Sequence, residues 1–380
     1  MHSEIHIQVH AATWEGGGVP TALARARRVY DCPVLSSLLY TALLTRPPAV
    51  EGFHLSDVWA WMRYGPALAS SKDLRLRPEW EQVDPHQKTI LSDDFGLGFT
   101  GFYVASRLGV SVFADTRYVL SSLYPNAFTL NSTNKRGPDK APDYVGMLKP
   151  HEFVVLECKG TQTSRSTLAG QLDDGISQKE AIHPTANNSV RESLVAGIFV
   201  PQHSNKEKAL LRIRDPQHCF AEIIEKAEPE QVARAIMKTH MSSALALTGF
   251  PETATALAKA PLSQGERVVF QSENKRGFGP QSEREEEFVP DANTGQRTLA
   301  IYFPEQTKMF GDEPVRGIEA TAAWEPKIWA EIRRSMDLRE LAASLAAGAG
   351  ETDLLHEEEK MTARIVCPSG FRLQIRALTA

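Results

Sequence analysis

The apolar positions of the chain fall into sharply bounded runs, and their spacing predicts the elements. Near the start, IHIQVH (5–10) alternates apolar and polar residues, the period of a half-buried strand. From about 20 to 45, ALARARRVYDCPVLSSLLYTALL is apolar at helical spacing and predicts one or two helices broken at Pro33. Beyond Pro47-Pro48, HLSDVWAWMRYG (54–65) predicts a short amphipathic helix stopped by Gly65-Pro66. Ser92-Asp93-Asp94 offers an N-cap for a helix over 95–109 that ends at Gly109. Strand-forming residues follow around Val110–Phe113 and Arg117–Leu120. A polar, basic loop, NSTNKRGPDKA (131–141), then leads to a strand over 141–147 and a turn at 148–151.

Phe153-Val154-Val155-Leu156 is an unbroken apolar run between Lys149-Pro150 and Gly160, the pattern of a strand covered on both faces. A helix over 164–182 and a strand over 193–202 follow. Farther on, ALLRIRDP predicts a strand, and 229–249 a helix stopped by Gly249 and Pro251. Residues 272–297 read as a long polar loop, TLAIYFP as a strand and 322–347 as a helical region. The last segment, MTARIVCPSGFRLQIRAL, predicts a hairpin turned at Pro368-Ser369-Gly370.

At 380 residues the chain is too long for one ordinary domain. The pattern divides it into an N-terminal region (1–91), a central domain (92–203) and a C-terminal α+β domain of unassigned role (204–380). Hydrophobic content of 42% and charged content of 23% are ordinary for a globular protein. No apolar run approaches the roughly eighteen residues of a membrane span, and the start lacks a signal-peptide pattern. Four scattered cysteines without CxxC or zinc spacing read as reduced thiols of a cytoplasmic protein. A net charge of −5 does not advertise nucleic-acid binding, though a local basic groove would suffice for it.

Candidate chemistry concentrates at the end of the 153–156 run. Alternation along a strand puts Glu157 and Lys159 on one face and turns Cys158 to the other. Charges at the end of an apolar strand are costly unless paired or used. Asp143, on the preceding segment, reaches the same end if the two strands are neighbours. Two carboxylates and a lysine suit a divalent cation and a polarised water. The bland alternative is a surface ion pair. Trp59, Trp61 and Tyr64 read as core residues or as base-stacking platforms. No Gly-rich phosphate loop, HExxH stretch or nucleophile triad competes.

Pro142-Asp143, thirteen residues, then Glu157-Cys158-Lys159 resembles the PD-(D/E)xK signature of the restriction-endonuclease-like nucleases. The order helix, strand, strand, strand, helix, strand over roughly 93–203 is similar to that family's αβββαβ core. The resemblance implies an α/β fold with that core, set between a mainly helical N-terminal region and the α+β C-terminal domain. It implies Mg²⁺ (or Mn²⁺) held by Asp143, Glu157 and the Cys158 carbonyl, with Lys159 orienting or activating the attacking water. Some relatives carry a glutamine on the next helix. Gln171, twelve residues after Lys159, matches it, although Gly175 stands where they have a tyrosine. An exposed helix position is the alternative for Gln171.

Many relatives also carry an acid on the first helix. Residues 95–109 have none, so Asp94 or Asp115 would have to substitute. Lys135, Arg136 and Lys140 before the motif, with Arg165 and Lys179 after it, are candidate phosphate contacts or else solvated charges. The function implied is a metal-dependent nuclease acting on DNA in preference to RNA, in bacterial restriction or anti-phage defence. The alternative is a weak or inactive nuclease-like subunit that binds nucleic acid or scaffolds a complex. A partner protein or a second copy would dock through 204–380. No membrane association is expected.

Overall fold

A computed structural model describes residues 1–14, 18–45, 64–124, 141–149, 151–177, 190–215, 227–260, 262, 267–268, 286–287, 294–302, 308–310, 313–334, 336–337, 355–359, 361–367 and 369–379. The chain is mixed α/β. Its first sheet uses β1 (His2–Val9), β2 (Val29–Pro33), β3 (Val112–Asp115), β4 (Tyr144–Lys149), β5 (Glu152–Thr161), β6 (Val190–Phe199) and β7 (Leu210–Arg214). They lie in the order β2-β1-β7-β6-β5-β4-β3. The β1–β7 and β5–β6 pairs are parallel and the others antiparallel, so the sheet is mixed.

This sheet crosses both boundaries drawn from the sequence. β1 and β2 come from before residue 92, and β7 from after residue 203. The N-terminal region is therefore not mainly helical among the described residues. Its alternating 5–10 segment forms β1, and the expected 20–45 helix is split. Only Thr21–Ala24 (α1) and Val34–Leu44 (α2) are helical, because Val29–Pro33 leaves the helix to pair with β1. Cross-strand pairing overrides helical spacing there.

Helix α3 spans Pro85–Leu108, ten residues earlier at its start than the sequence suggested. Asp84 is its N-cap, accepting from the His86 N–H, with Pro85 at the first turn and Gly109 closing it at φ 70°. The second difference lies just beyond β3, where Thr116–Leu123 is a helix (α4) and not a strand. Asp115 caps it, accepting from the N–H groups of Arg117 and Tyr118. After β5 come α5 (Arg165–Ser177), then α6 (Pro229–Leu247) and α7 (Pro251–Lys259).

The remaining strands are β8 (Arg267–Val268), β9 (Glu286–Glu287), β10 (Arg297–Tyr302), β11 (Lys308–Phe310), β12 (Glu313–Trp324), β13 (Met336–Asp337), β14 (Leu355–Glu359), β15 (Thr362–Val366) and β16 (Phe371–Thr379). All but β8 and β13, which pair with each other, belong to a second sheet ordered β14-β15-β16-β12-β10-β9, with β11 on β12. The hairpin expected at 368–370 is β15–β16, with Gly370 at φ 78°. Of the expected 322–347 helix, Pro326–Arg334 is helical (α8), while 322–324 belongs to β12, which pairs on both edges, and 336–337 to β13; residues 335 and 338–347 lie outside the described residues.

Every residue of α2 is buried. It packs on α3 and also meets β14, β15 and β16, so it joins the two sheets in one core. Glu358 of β14 accepts from the Ser36 N–H at 2.5 Å and from the Met1 ammonium at 3.1 Å, anchoring the start of α2. Cys32, Cys158 and Cys367 are free and buried, and no described helix is long and apolar enough to cross a membrane.

His240 of α6 bonds Ser369 at 2.8 Å in this core, and burial pushes its imidazole down to about 4 from the ordinary 6.5. The fold keeps it neutral where an unfolded chain takes up a proton. Between pH 6.5 and 4 the unfolded state thus binds more protons, so stability falls as pH drops through that window. At pH 5 the loss from this group is about 2 kcal/mol, with none above pH 7. Urea unfolding at pH 7.5 and 5 will show the wild type losing more than His240→Gln.

Candidate active site at the end of β5

The site begins with the register of β4 on β5. Their ladder ends at Tyr144↔Leu156, and its continuation sets Asp143 across from Glu157 on the same face. With no β4 residue left to pair, the Cys158 N–H donates to the Asp143 carboxylate at 2.7 Å. N–H and C=O of one strand residue point the same way, so the Cys158 carbonyl faces the same notch. Asp143 is fixed at its backbone too, its carbonyl accepting from the Thr116 N–H at 3.2 Å.

The Lys159 ammonium donates to a Glu157 carboxylate oxygen at 2.6 Å. With side chains 32% and 15% exposed, this is a half-buried pair and not a solvated one. Burial alone would lower the Lys159 ammonium. The Glu157 and Asp143 carboxylates outweigh it and hold the pKa above the usual lysine value, so the residue stays cationic at neutral pH. Cys158 faces the other way, where Thr100 of α3 bonds its sulfur at 3.2 Å. Burial and the Asp143 charge push its thiol well up, so the sulfur is a neutral core group and not a thiolate ligand.

Backbone contact between α3 and β5 holds this end of the strand. A Cβ on Gly160 would lie 1.8 Å from the Ser92 carbonyl oxygen, and one on Gly96 2.8 Å from the Gly160 nitrogen. Only paired glycines allow the crossing. Because α3 begins at Pro85, it does carry acids beside β5. Asp93 is one, and it lies before the 95–109 span that the sequence pattern marks as helical. The Asp84-Pro85 start was the signal for it. Desolvation raises the Asp93 carboxyl, and the nearby Lys159 charge opposes that rise.

Asp94 accepts from the Tyr64 hydroxyl at 2.5 Å. Its charge and that of Asp143 both reach the buried Tyr144 hydroxyl. Asp115 pairs with Tyr144, on the sheet face opposite Glu157, and is engaged as the cap of α4.

Helix α5 covers the face shared by Glu157 and Lys159. Leu168 and Leu172 pack down onto Val195, Phe199 and Leu210, and Leu168 sits over Gly197. Arg165 and Asp173 reach toward β7. Arg165 donates to the Lys208 carbonyl at 2.6 Å and lies 3.7 Å from Glu207, while Asp173 bonds Arg214. Helical periodicity puts Gln171 on the other flank, toward β5. Its side-chain carbonyl oxygen is buried without a hydrogen-bond partner, an orphan on the side of Glu157 and Lys159.

Asp143, Glu157, the Cys158 carbonyl and Lys159 are thus brought together, Gln171 lies by helical periodicity on the flank of α5 toward β5, and Arg165 is held elsewhere. Lys135, Arg136, Lys140, Gln178, Lys179, Trp59 and Trp61 lie outside the described residues. Among the described residues, no three His, Cys, Asp or Glu side chains gather as a metal cluster. The notch offers two carboxylates and a carbonyl. Such hard oxygen donors fit Mg²⁺ or Mn²⁺, ions that keep several waters and take only one or two carboxylates. No protein-family model matches the chain, and neither a curated protein nor a solved structure matches it.

Proposed function

We propose that the end of β5 is the active site of a metal-dependent nuclease that hydrolyses phosphodiester bonds, with DNA as the polymer. One observation carries the reading. Asp143 stands opposite Glu157 just past the last rung of the β4–β5 ladder, on the face that also bears a half-buried, cationic Lys159. Among the described residues the order α3-β3-β4-β5-α5-β6, with α4 between β3 and β4, supports a restriction-endonuclease-like core and is consistent with the PD…ECK spacing.

Asp143 and Glu157, with the Cys158 carbonyl, would hold Mg²⁺ or Mn²⁺. When bound, such an ion supplies Lewis-acid polarisation of a phosphoryl oxygen and a more acidic water. A carboxylate has about four lone-pair sites, so Glu157 can serve an ion while still accepting from Lys159. Lys159, being charged, cannot take a proton from water. Its role is to orient the attacking water by donation and to offset negative charge growing on the phosphate. Gln171 would turn its orphan carbonyl oxygen to a proton of the same water. Leu168 and Leu172 pack the floor beside the site against Val195 and Phe199.

A second reading is a weak or inactive nuclease-like subunit that binds nucleic acid or scaffolds a complex. The absence of a three-acid cluster among the described residues favours it. Incubating the purified chain with plasmid and linear DNA in Mg²⁺ or Mn²⁺ separates the two. The nuclease reading predicts cleavage that EDTA abolishes, and the subunit reading predicts none with either metal.

A further inference from the structure

A second cleft, at the opposite end of α3 from the β5 notch, stands apart from the nuclease reading. It encloses about 720 Å³ between β1, β2 and the segment after α1, and is lined by Glu4, Arg25, Arg27, Tyr30, Asp31 and Arg107. That volume is in the range of a site for a small organic ligand. Arg107, in the last turn of α3, lies 5.4 Å from the Tyr30 ring centre and 5.6 Å from that of Tyr103. The two rings meet edge to face at 5.0 Å, so they fix the guanidinium before any ligand arrives.

Charge balance decides what the cleft prefers. Both acids already have cationic or titratable neighbours outside the three arginines, Glu4 with Lys72 at 3.3 Å and Asp31 with His2 at 3.2 Å. Arg25 and Arg27 are exposed, and their side chains form no hydrogen bond or ion pair with any described residue. Three guanidiniums thus line one cleft against two carboxylates, one of them already paired with Lys72, and they offer the donor set for a phosphate. Glu4 and Asp31 face each other across β1 and β2 and close one side. They would repel a through-running polyanion but accept hydrogen bonds from sugar hydroxyls or ring amino groups.

We infer that this cleft binds a nucleotide, its phosphates on Arg25, Arg27 and Arg107 and its sugar or base against Glu4 and Asp31. Titration calorimetry of the full chain with ATP, GTP and inorganic pyrophosphate tests it. EDTA in the buffer keeps metal-bridged binding at the β5 notch out of the result. One nucleotide per chain is expected, bound more tightly than pyrophosphate. Arg25→Ala/Arg27→Ala should weaken it at least about tenfold, and Arg107→Lys should also weaken it by losing the planar fork. The double variant should melt with the wild type, because neither arginine has a partner to lose. No saturable binding, affinity unchanged in both variants, pyrophosphate bound as tightly as nucleotides, or full displacement by a single-stranded oligonucleotide would each overturn the inference.

Discussion

Lys159→Ala is expected to cut the cleavage rate by about 10²–10³-fold, the usual cost of removing one preorganised charge from a transition state. The effect is electrostatic. Burial alone would lower the pKa of this lysine, yet Glu157 at 2.6 Å and the nearby Asp143 hold it above the usual lysine value. A group already protonated there cannot be the base, so the rate ratio between wild type and variant should stay flat from pH 6 to 9. A loss confined to the alkaline side would assign Lys159 to proton transfer and contradict its cationic role. The fold should survive, since the pair is only half-buried and Glu157 keeps access to water. Circular dichroism and melting of the variant serve as the control.

Gly160→Ala should be the most damaging single methyl in the described structure, costing about 3 kcal/mol or more, the upper end of overpacking effects. Its Cβ would sit 1.8 Å from the Ser92 carbonyl oxygen and 2.9 Å from the Gly96 nitrogen, and both are backbone atoms of α3. Neither can swing aside as a side chain would, so α3 must lift from β5. Asp93 and the β5 notch would move with it, and activity should fall together with stability. Gly170→Ala provides the contrast. Its added methyl meets nothing within 4 Å on α5, so about 0.5–1 kcal/mol of stabilisation is expected there. Urea unfolding of the two variants measures both.

Local pattern made part of this fold legible. The apolar run 153–156 is buried on both faces, α6 ends at Leu247 before Gly249, and the Ser369-Gly370 turn joins β15 to β16. Long-range pairing was not legible. Nothing local marks that β1 joins β7 across some two hundred residues, or that Val29–Pro33 abandons a helical pattern to pair with β1. Residues 116–123 carry strand formers, but the Asp115 cap and burial of Val119 and Leu120 make them a helix. At the site, spacing sufficed to bring Asp143, Glu157 and Lys159 together. Asp93 was hidden by a misjudged helix start. The Gly96–Gly160 crossing was hidden because close backbone approach between distant residues leaves no periodic trace.

Direct Mn²⁺ binding to the purified full chain tests the metal site at the end of β5 and needs neither the right substrate nor an activator. Wild type, Asp143→Asn and Glu157→Gln should be titrated side by side. The asparagine can still accept from the Cys158 N–H, so the local backbone is preserved while the charge is removed. Saturable binding of one or two ions per chain, lost in both variants, is the predicted result. No saturable binding to the wild type, or equal binding in all three, would contradict a metal site at the end of β5.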